Sequence, residues 1–267
     1  MTTVRNQELL YLSQRTNMEI SEISYGFLDP SWNIKNLYAS FTRVYFPLEG
    51  EGLLTFENER IPLVKGNIYI IPSYLNFSGS CRQKLNKIYV HLNLTHPNGS
   101  DLFSGIRSCI ILKNRQNEID QVAELYEKND VTAVLQLKLL LFTVLSDALR
   151  EAGADLTPLH YSPETKAALA YVDSHLRADL TISEIASAIF CSKQLLQKNF
   201  KEDIGKPLGK YVDDILMSHA ERALLNPSLS IKEISDRLGF CDQFYFSRKF
   251  NEIHGISPRQ FRQMHNV

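Results

Sequence analysis

The sequence predicts an α+β chain, with a β-rich half followed by an all-helical half. Three observations carry this. Up to about Leu112 short β-type runs are broken by Gly- and Pro-containing turns. Beyond Leu112 the apolar residues recur at helical spacing. One segment of the C-terminal half is used twice. A chain of 267 residues has room for two domains, and 44% hydrophobic with 22% charged residues excludes a disordered chain.

In the first half, "YASFTRVYFPLEGEGLLTFENERIPLVKGNIYIIP" and "KIYVHLNL" read as strands. Alternation puts Phe41, Arg43, Tyr45 and Glu49 on one side, and Tyr89 with His91 on one side of a second strand. Residues 118–127 and 131–150 then read as helices. The second carries Leu135, Leu139, Phe142, Leu145 and Leu149 at helical spacing, and Gly153 ends it. Its "VLQLKLLLFTVL" holds more Leu than one face needs, which leaves a dimer contact and packing on its own sheet as alternatives. "GADLTPLHYSPE" reads as a linker, giving domains of 1–155 and 156–267.

The bulk properties set further limits. The N-terminal "MTTVRNQELL" lacks a signal-peptide core, and the longest apolar runs contain a Lys or end too early to cross a bilayer, so a cytoplasmic protein without membrane contact is expected. Cys81, Cys109, Cys191 and Cys241 are scattered without a CxxC pair, which points to reduced thiols and away from a structural metal. Net charge is −1, but residues 190–267 hold twelve Lys or Arg against nine Asp or Glu. So small an excess implies a nucleic-acid partner only if it falls on one helix face.

The repeat supplies that face. "TISEIASAIFCSKQLLQKNFKEDIGKPLGKYV" aligns with "SIKEISDRLGFCDQFYFSRKFNEIHGISPRQFR": Phe200 matches Phe250, Gly205 matches Gly255, and Leu196 matches Phe246. The leading helices match with one residue fewer between copies. Each copy opens with a capping-box pattern, Thr181 with Glu184 and Ser230 with Glu233. A short helix follows (Ile182, Ile185, Ala186 and Ile189; Ile231, Ile234 and Leu238), then a turn and a second helix capped by Ser192 or Asp242. This is the order of a helix-turn-helix. On the second helix of each copy Leu196, Phe200 and Ile204, or Phe246, Phe250 and Ile253, form a core face. The other face carries Lys193, Gln194, Gln197, Lys198 and Lys201, or Gln243, Phe244, Ser247, Arg248 and Asn251, with no acid in either set. Gln, Lys and Arg reach base edges and phosphates in a major groove, and Phe244 could pack on a thymine methyl. Ordinary solvated faces would look similar in one copy, and matched positions in two copies argue against that.

"GFCDQFYFSRKFNEIHGISPRQFR" resembles the signature of the AraC/XylS family of bacterial transcription regulators, and the resemblance covers about residues 164–262. It implies two helix-turn-helix units joined by a long helix, here 208–225 stopped by Asn226-Pro227, with both reading helices in successive major grooves. The family usually has Ser-Arg where this chain has Gln197-Lys198, an Arg near Leu216, and Glu-Arg near Ser218-His219. These departures imply altered phosphate contact in the first unit.

"PLEGEGLLTFENERIPLVKGNIYIIPSYLNF" resembles the cupin-like β-barrel sensor domain of many such regulators. Asn76 stands where metal cupins often place a His, and His91 and His96 lack spacing partners, so no metal, no cofactor and no enzyme chemistry are expected. By resemblance to sugar-sensing members, Arg43, Tyr45, Glu49, Tyr89 and His91, with Trp32 nearby, line a ligand pocket. Polar groups orienting hydroxyls and rings stacking on CH faces suit a carbohydrate. A satisfied core His and an Arg–Glu pair in a ligand-free barrel are the structural alternative. The resulting expectation is a DNA-binding regulator, an activator of catabolic genes, acting as a homodimer with a small-molecule effector and with RNA polymerase as a further partner. The rivals are a barrel that binds a lipid or a partner protein, and a cupin-type enzyme fused to a DNA-binding module.

Overall fold

The structure is a computed structural model, and the residues it describes are 10, 12–13, 16–95, 101–154 and 161–265. Two compact units arise: one is built on Asn17–Leu94 with Asp101–Leu156, the other on Thr157–Asn266. The expected domain boundary at 155/156 lies outside the described residues.

The first unit holds one seven-stranded sheet: β1 (Asn17–Leu28), β2 (Asn33–Leu37), β3 (Thr42–Thr55), β4 (Arg60–Leu63), β5 (Ile68–Ile71), β6 (Phe77–Thr95) and β7 (Ile110–Leu112). The strand order is β1-β6-β3-β5-β7, with β2 on β6 and β4 on β3. This path is open. Among the described residues no pairing of β1 with β7 closes the sheet into the barrel expected from the sequence.

Alternation divides the sheet into two buried faces. Val44, Phe46, Ile88, Val90 and Leu92 pack against α1 (Gln116–Tyr126) and α2 (Val131–Glu151) in one hydrophobic core. Their neighbours Arg43, Tyr45, Tyr89 and His91 lie on the other face. Asp130 starts α2 by accepting a hydrogen bond from the Ala133 N–H. The apolar residues of α2 do not form the single stripe expected. Leu145 and Leu149 are buried, with Leu137, Leu141, Val144 and Ala148, whereas Leu135, Leu139 and Phe142 are exposed along with Val131 and Val134. For Leu145 the reason is rotational: at 3.6 residues per turn it stands ten residues beyond Leu135 and has moved most of a quarter-turn off its stripe, whereas Leu149 shares the angle of exposed Val131 and differs from it in position along the helix. By length and composition α2 could also cross a membrane, which the sequence reading had discounted; here its inner stripe belongs to the sheet core.

The second unit is helical: α3 (Pro163–His175), α4 (Ile182–Ala188), α5 (Lys193–Ile204), α6 (Leu208–Leu225), α7 (Ile231–Arg237), α8 (Gln243–His254) and α9 (Pro258–His265). The caps fall where the repeat places them. Ser230 and Glu233 complete a capping box, Ser192 accepts from the Leu195 N–H, and Asp242 from those of Phe244 and Tyr245. In the first copy Thr181 caps the Glu184 N–H, but the Glu184 carboxylate is drawn to Arg177 at 2.7 Å. Gly205 and Gly255 end the two reading helices in the left-handed conformation. The turn of the second copy uses Gly239 at φ 74°, and Phe190 holds the matching place at φ 57° with its ring 97% exposed. A ring there costs backbone strain that Gly239 avoids. The linking helix α6 spans the residues expected of it and ends at Asn226.

Candidate functional site

The reading helices present two contrasting faces. Leu196, Phe200, Phe246 and Phe250 are fully buried. Ile204 is half-buried, but Ile253, expected beside Phe250, is 41% exposed. The place beside Phe250 is taken instead by His254, which matches Ile204 in the repeat and whose ring lies 4.1 Å from that of Phe250 and 5.9 Å from that of Phe261.

On the outward face Lys193, Gln194, Gln197, Lys198 and Lys201 of α5 are exposed, as are Phe244, Arg248 and Asn251 of α8. Gln243 and Ser247 are half-buried, and the Ser247 hydroxyl donates to the Gln243 carbonyl at 2.7 Å. Lys249 is drawn to Asp213 of α6 at 2.6 Å. Arg248 acts electrostatically on the Asp242 carboxylate, and its guanidinium lies 5.9 Å from the Tyr245 ring centre. Leu195 and Tyr245, at matching positions, are each 43% exposed beside the expected contacts. Sequence reasoning missed both, although a 100° step from Gln194 or Phe244 already brings them to the edge of that face.

The N-terminal cluster is also partly as expected. Arg43 pairs across the strands with His91 and Tyr45 with Tyr89, and all four are buried. The Tyr45 and Tyr89 rings are 6.5 Å apart, and Tyr89 and His91 5.1 Å. Trp32 is buried against Gly79, where a Cβ would come within 2.9 Å of the indole. Arg43 stacks over Phe41 at 4.6 Å and Phe77 at 5.3 Å.

Glu49 does not join this cluster. An irregularity between Pro47 and Glu49 opposes two steps on β3 to one on β6, which breaks the alternation, and Glu49 turns to solvent to meet Lys84 at 2.7 Å and Asn86 at 3.1 Å. The acid of the cluster is Glu22 on β1. It accepts from the Tyr89 hydroxyl at 2.7 Å and from Ser24 at 3.0 Å, and lies 2.8 Å from His91 Nδ1. Burial raises the Glu22 carboxyl, but His91, Tyr89 and Ser24 together hold it below its ordinary value. Burial pushes His91 down to about 4 and Tyr45 up to about 12.

Lys87 is the second residue of this cluster that the sequence reading missed. It is 3% exposed, and its ammonium lies 3.2 Å from the Tyr45 ring centre, 4.7 Å from Trp32 and 5.4 Å from Tyr89. Burial, with Arg43 adding to it, drives its pKa well below that of an ordinary lysine. The signal was present: Lys87, Tyr89 and His91 alternate in phase along β6. Among the described residues no three His, Cys, Asp or Glu side chains are grouped to hold a metal ion.

Comparison with known proteins adds the following. A helix-turn-helix domain family matches residues 175–264. The Msm operon regulatory protein of Streptococcus mutans is 26% identical over 252 residues, covering 82% of this chain and 83% of the relative. The lactose operon transcription activator of Staphylococcus xylosus is 20% identical, covering 88% of this chain and 89% of the relative. The structure of ToxT from Vibrio cholerae shares the fold at TM-score 0.55 and 16% identity, over 91% of this chain and 98% of ToxT. Matched helix-turn-helix units, a linking helix at 208–225 and relatives that regulate operons converge on one conclusion: residues 175–264 form an AraC-type helix-turn-helix domain, and the chain is a DNA-binding transcription regulator.

Proposed function

We propose that the regulator reads its operator with the outward faces of α5 and α8 and responds to a small molecule held on the inner face of the N-terminal sheet. Residues 1–155 form a cupin-like sensing and dimerisation domain in this reading, and 156–267 the DNA-binding domain, in a cytoplasmic activator that contacts RNA polymerase. One observation carries the DNA-reading assignment. Two equivalent helices, each buried through Leu196/Phe200 or Phe246/Phe250, present Gln, Lys and Arg positions outward at matched places. Lys193, Gln194, Gln197 and Lys198 read one segment, and Gln243, Phe244, Ser247 and Arg248 the next. Footprinting on the natural operator is expected to show two protected major-groove segments about one helical turn apart per protomer. Arg248→Ala is expected to weaken specific binding by about 1–3 kcal/mol, or about 10- to 150-fold, with folding unchanged. A single protected segment would remove α5 from the reading surface, and unchanged affinity would remove Arg248.

Trp32, Arg43, Tyr45, Tyr89 and His91 form the proposed effector site, with Glu22 and Lys87 in place of Glu49. Relatives named for the lactose and xylose operons support a carbohydrate. A ToxT structure described as bound to an unsaturated fatty acid supports a lipid as the second reading. Mass spectrometry of material carried through purification separates the two.

The exposed stripe Val131, Leu135, Leu139 and Phe142 on α2 fits a homodimer contact. Leu135→Asp with Leu139→Asp is expected to convert the protein to a monomer in sedimentation equilibrium without loss of helicity. A double variant that remains dimeric would place the interface elsewhere.

A further inference from the structure

The inner face of the sheet carries more positive than negative charge. Arg43 and Lys87 are both buried on it, and Glu22 is the acid that acts on Lys87. Glu22 already serves Tyr89, Ser24 and His91. Among the described residues the Lys87 ammonium has no hydrogen-bond acceptor and no ion-pair partner; it meets the faces of Tyr45, Trp32 and Tyr89. Ring faces replace only part of the hydration that an ammonium loses on burial. A hydrophobic side chain of the same length would fill the place without that cost, so Lys87 suits a partner brought from outside. Rings of Trp32 and Tyr45 beside a cation also form an oriented site, able to hold the body of a small molecule while the cation fixes its charged end.

We propose that the effector carries an anionic group, a carboxylate or a phosphate, which pairs with the Lys87 ammonium inside the cage of Trp32, Tyr45 and Tyr89, with Arg43 as the second cation of that face. This rests on the reading that the effector binds on the inner face of the sheet. The depressed basicity of the free lysine adds a consequence: an incoming anion restores the charged form, so binding takes up a proton from solvent.

The test uses the full-length protein and two matched pairs of probes at millimolar concentration: glucose 6-phosphate against glucose, and hexanoate against hexanol. Calorimetry is run in two buffers of different ionisation enthalpy, on wild type and on Lys87→Met. The anionic member of one pair is expected to bind at least about tenfold more tightly than its neutral partner, with proton uptake. Lys87→Met is expected to abolish both the preference and the uptake. The pair that responds decides between phosphate and carboxylate. Should Lys87→Met fail to fold, the wild-type preference and proton uptake still decide. Neutral probes binding as tightly as anions, without proton uptake, would overturn the anionic assignment and leave the effector site standing. Binding of no probe by the wild-type protein would overturn both.

Discussion

Phe250→Ala is expected to destabilise the chain by about 3–5 kcal/mol, because it empties a fully buried ring site that the surroundings refill only in part. The ring has close neighbours on several sides: His254 at 4.1 Å, Phe261 at 5.4 Å and Phe246 at 5.9 Å between ring centres. Phe200→Ala, at the matching place in the first unit and beside Tyr211 at 5.2 Å, is expected to behave alike. Ile253→Ala, one turn on but 41% exposed, serves as the control and is expected to cost well under half as much. Urea unfolding followed by helical circular dichroism reads all three. A Phe250→Ala protein with wild-type stability and no DNA binding would mean that the faces of α8 are reversed.

Asp101→Ala is expected to have an effect of similar size in the N-terminal unit, about 3–5 kcal/mol. Asp101 is 7% exposed and accepts five hydrogen bonds. One oxygen takes the Thr42 and Ser73 hydroxyls and the Phe103 N–H; the other takes the Asn93 amide and the Leu94 N–H. The group thereby joins β3, β6 and the turns after β5 and β6. Burial still pushes its pKa up to about 6, so the donors offset only part of the desolvation cost. Removing the carboxylate leaves those donors buried without their acceptor. Asp101→Asn is expected to recover little, since an NH2 group would face two donors wherever it replaced the oxygen near Asn93 and Leu94. Unfolding of the N-terminal unit, followed by tyrosine and tryptophan fluorescence, measures the loss. Wild-type stability in Asp101→Ala would show the network to be dispensable.

The C-terminal half was the more legible because its determinants are local. Capping residues, left-handed glycines and a 3.6-residue period act within a few positions of one another, and they placed Ser192, Asp242, Gly205, Gly255 and the bounds of α6. The N-terminal half depends on pairings between distant residues. Alternation correctly put Arg43 with Tyr45 and Tyr89 with His91, but one irregularity after Pro47 was enough to misplace Glu49. Glu22 joins the cluster because β1 lies beside β6, which no short-range pattern reveals. Closure of the sheet is likewise a long-range property. Which Leu residues of α2 face outward stayed open in the sequence, because periodicity records apolar spacing and not which stripe finds a neighbour.

The linking helix has a consequence for the operator. Leu208, Tyr211 and Val212, at the start of α6, belong to the core of the first repeat. Near its end, Arg262 of α9 donates to the carbonyls of Leu224 and Leu229. An 18-residue helix held at both ends is a ruler about 27 Å long, graduated at about 100° per residue. The protein cannot stretch to suit its target. If α5 and α8 read two segments as proposed, a base pair inserted between them would turn one out of phase, and the operator is expected to be as strict in spacing as in sequence.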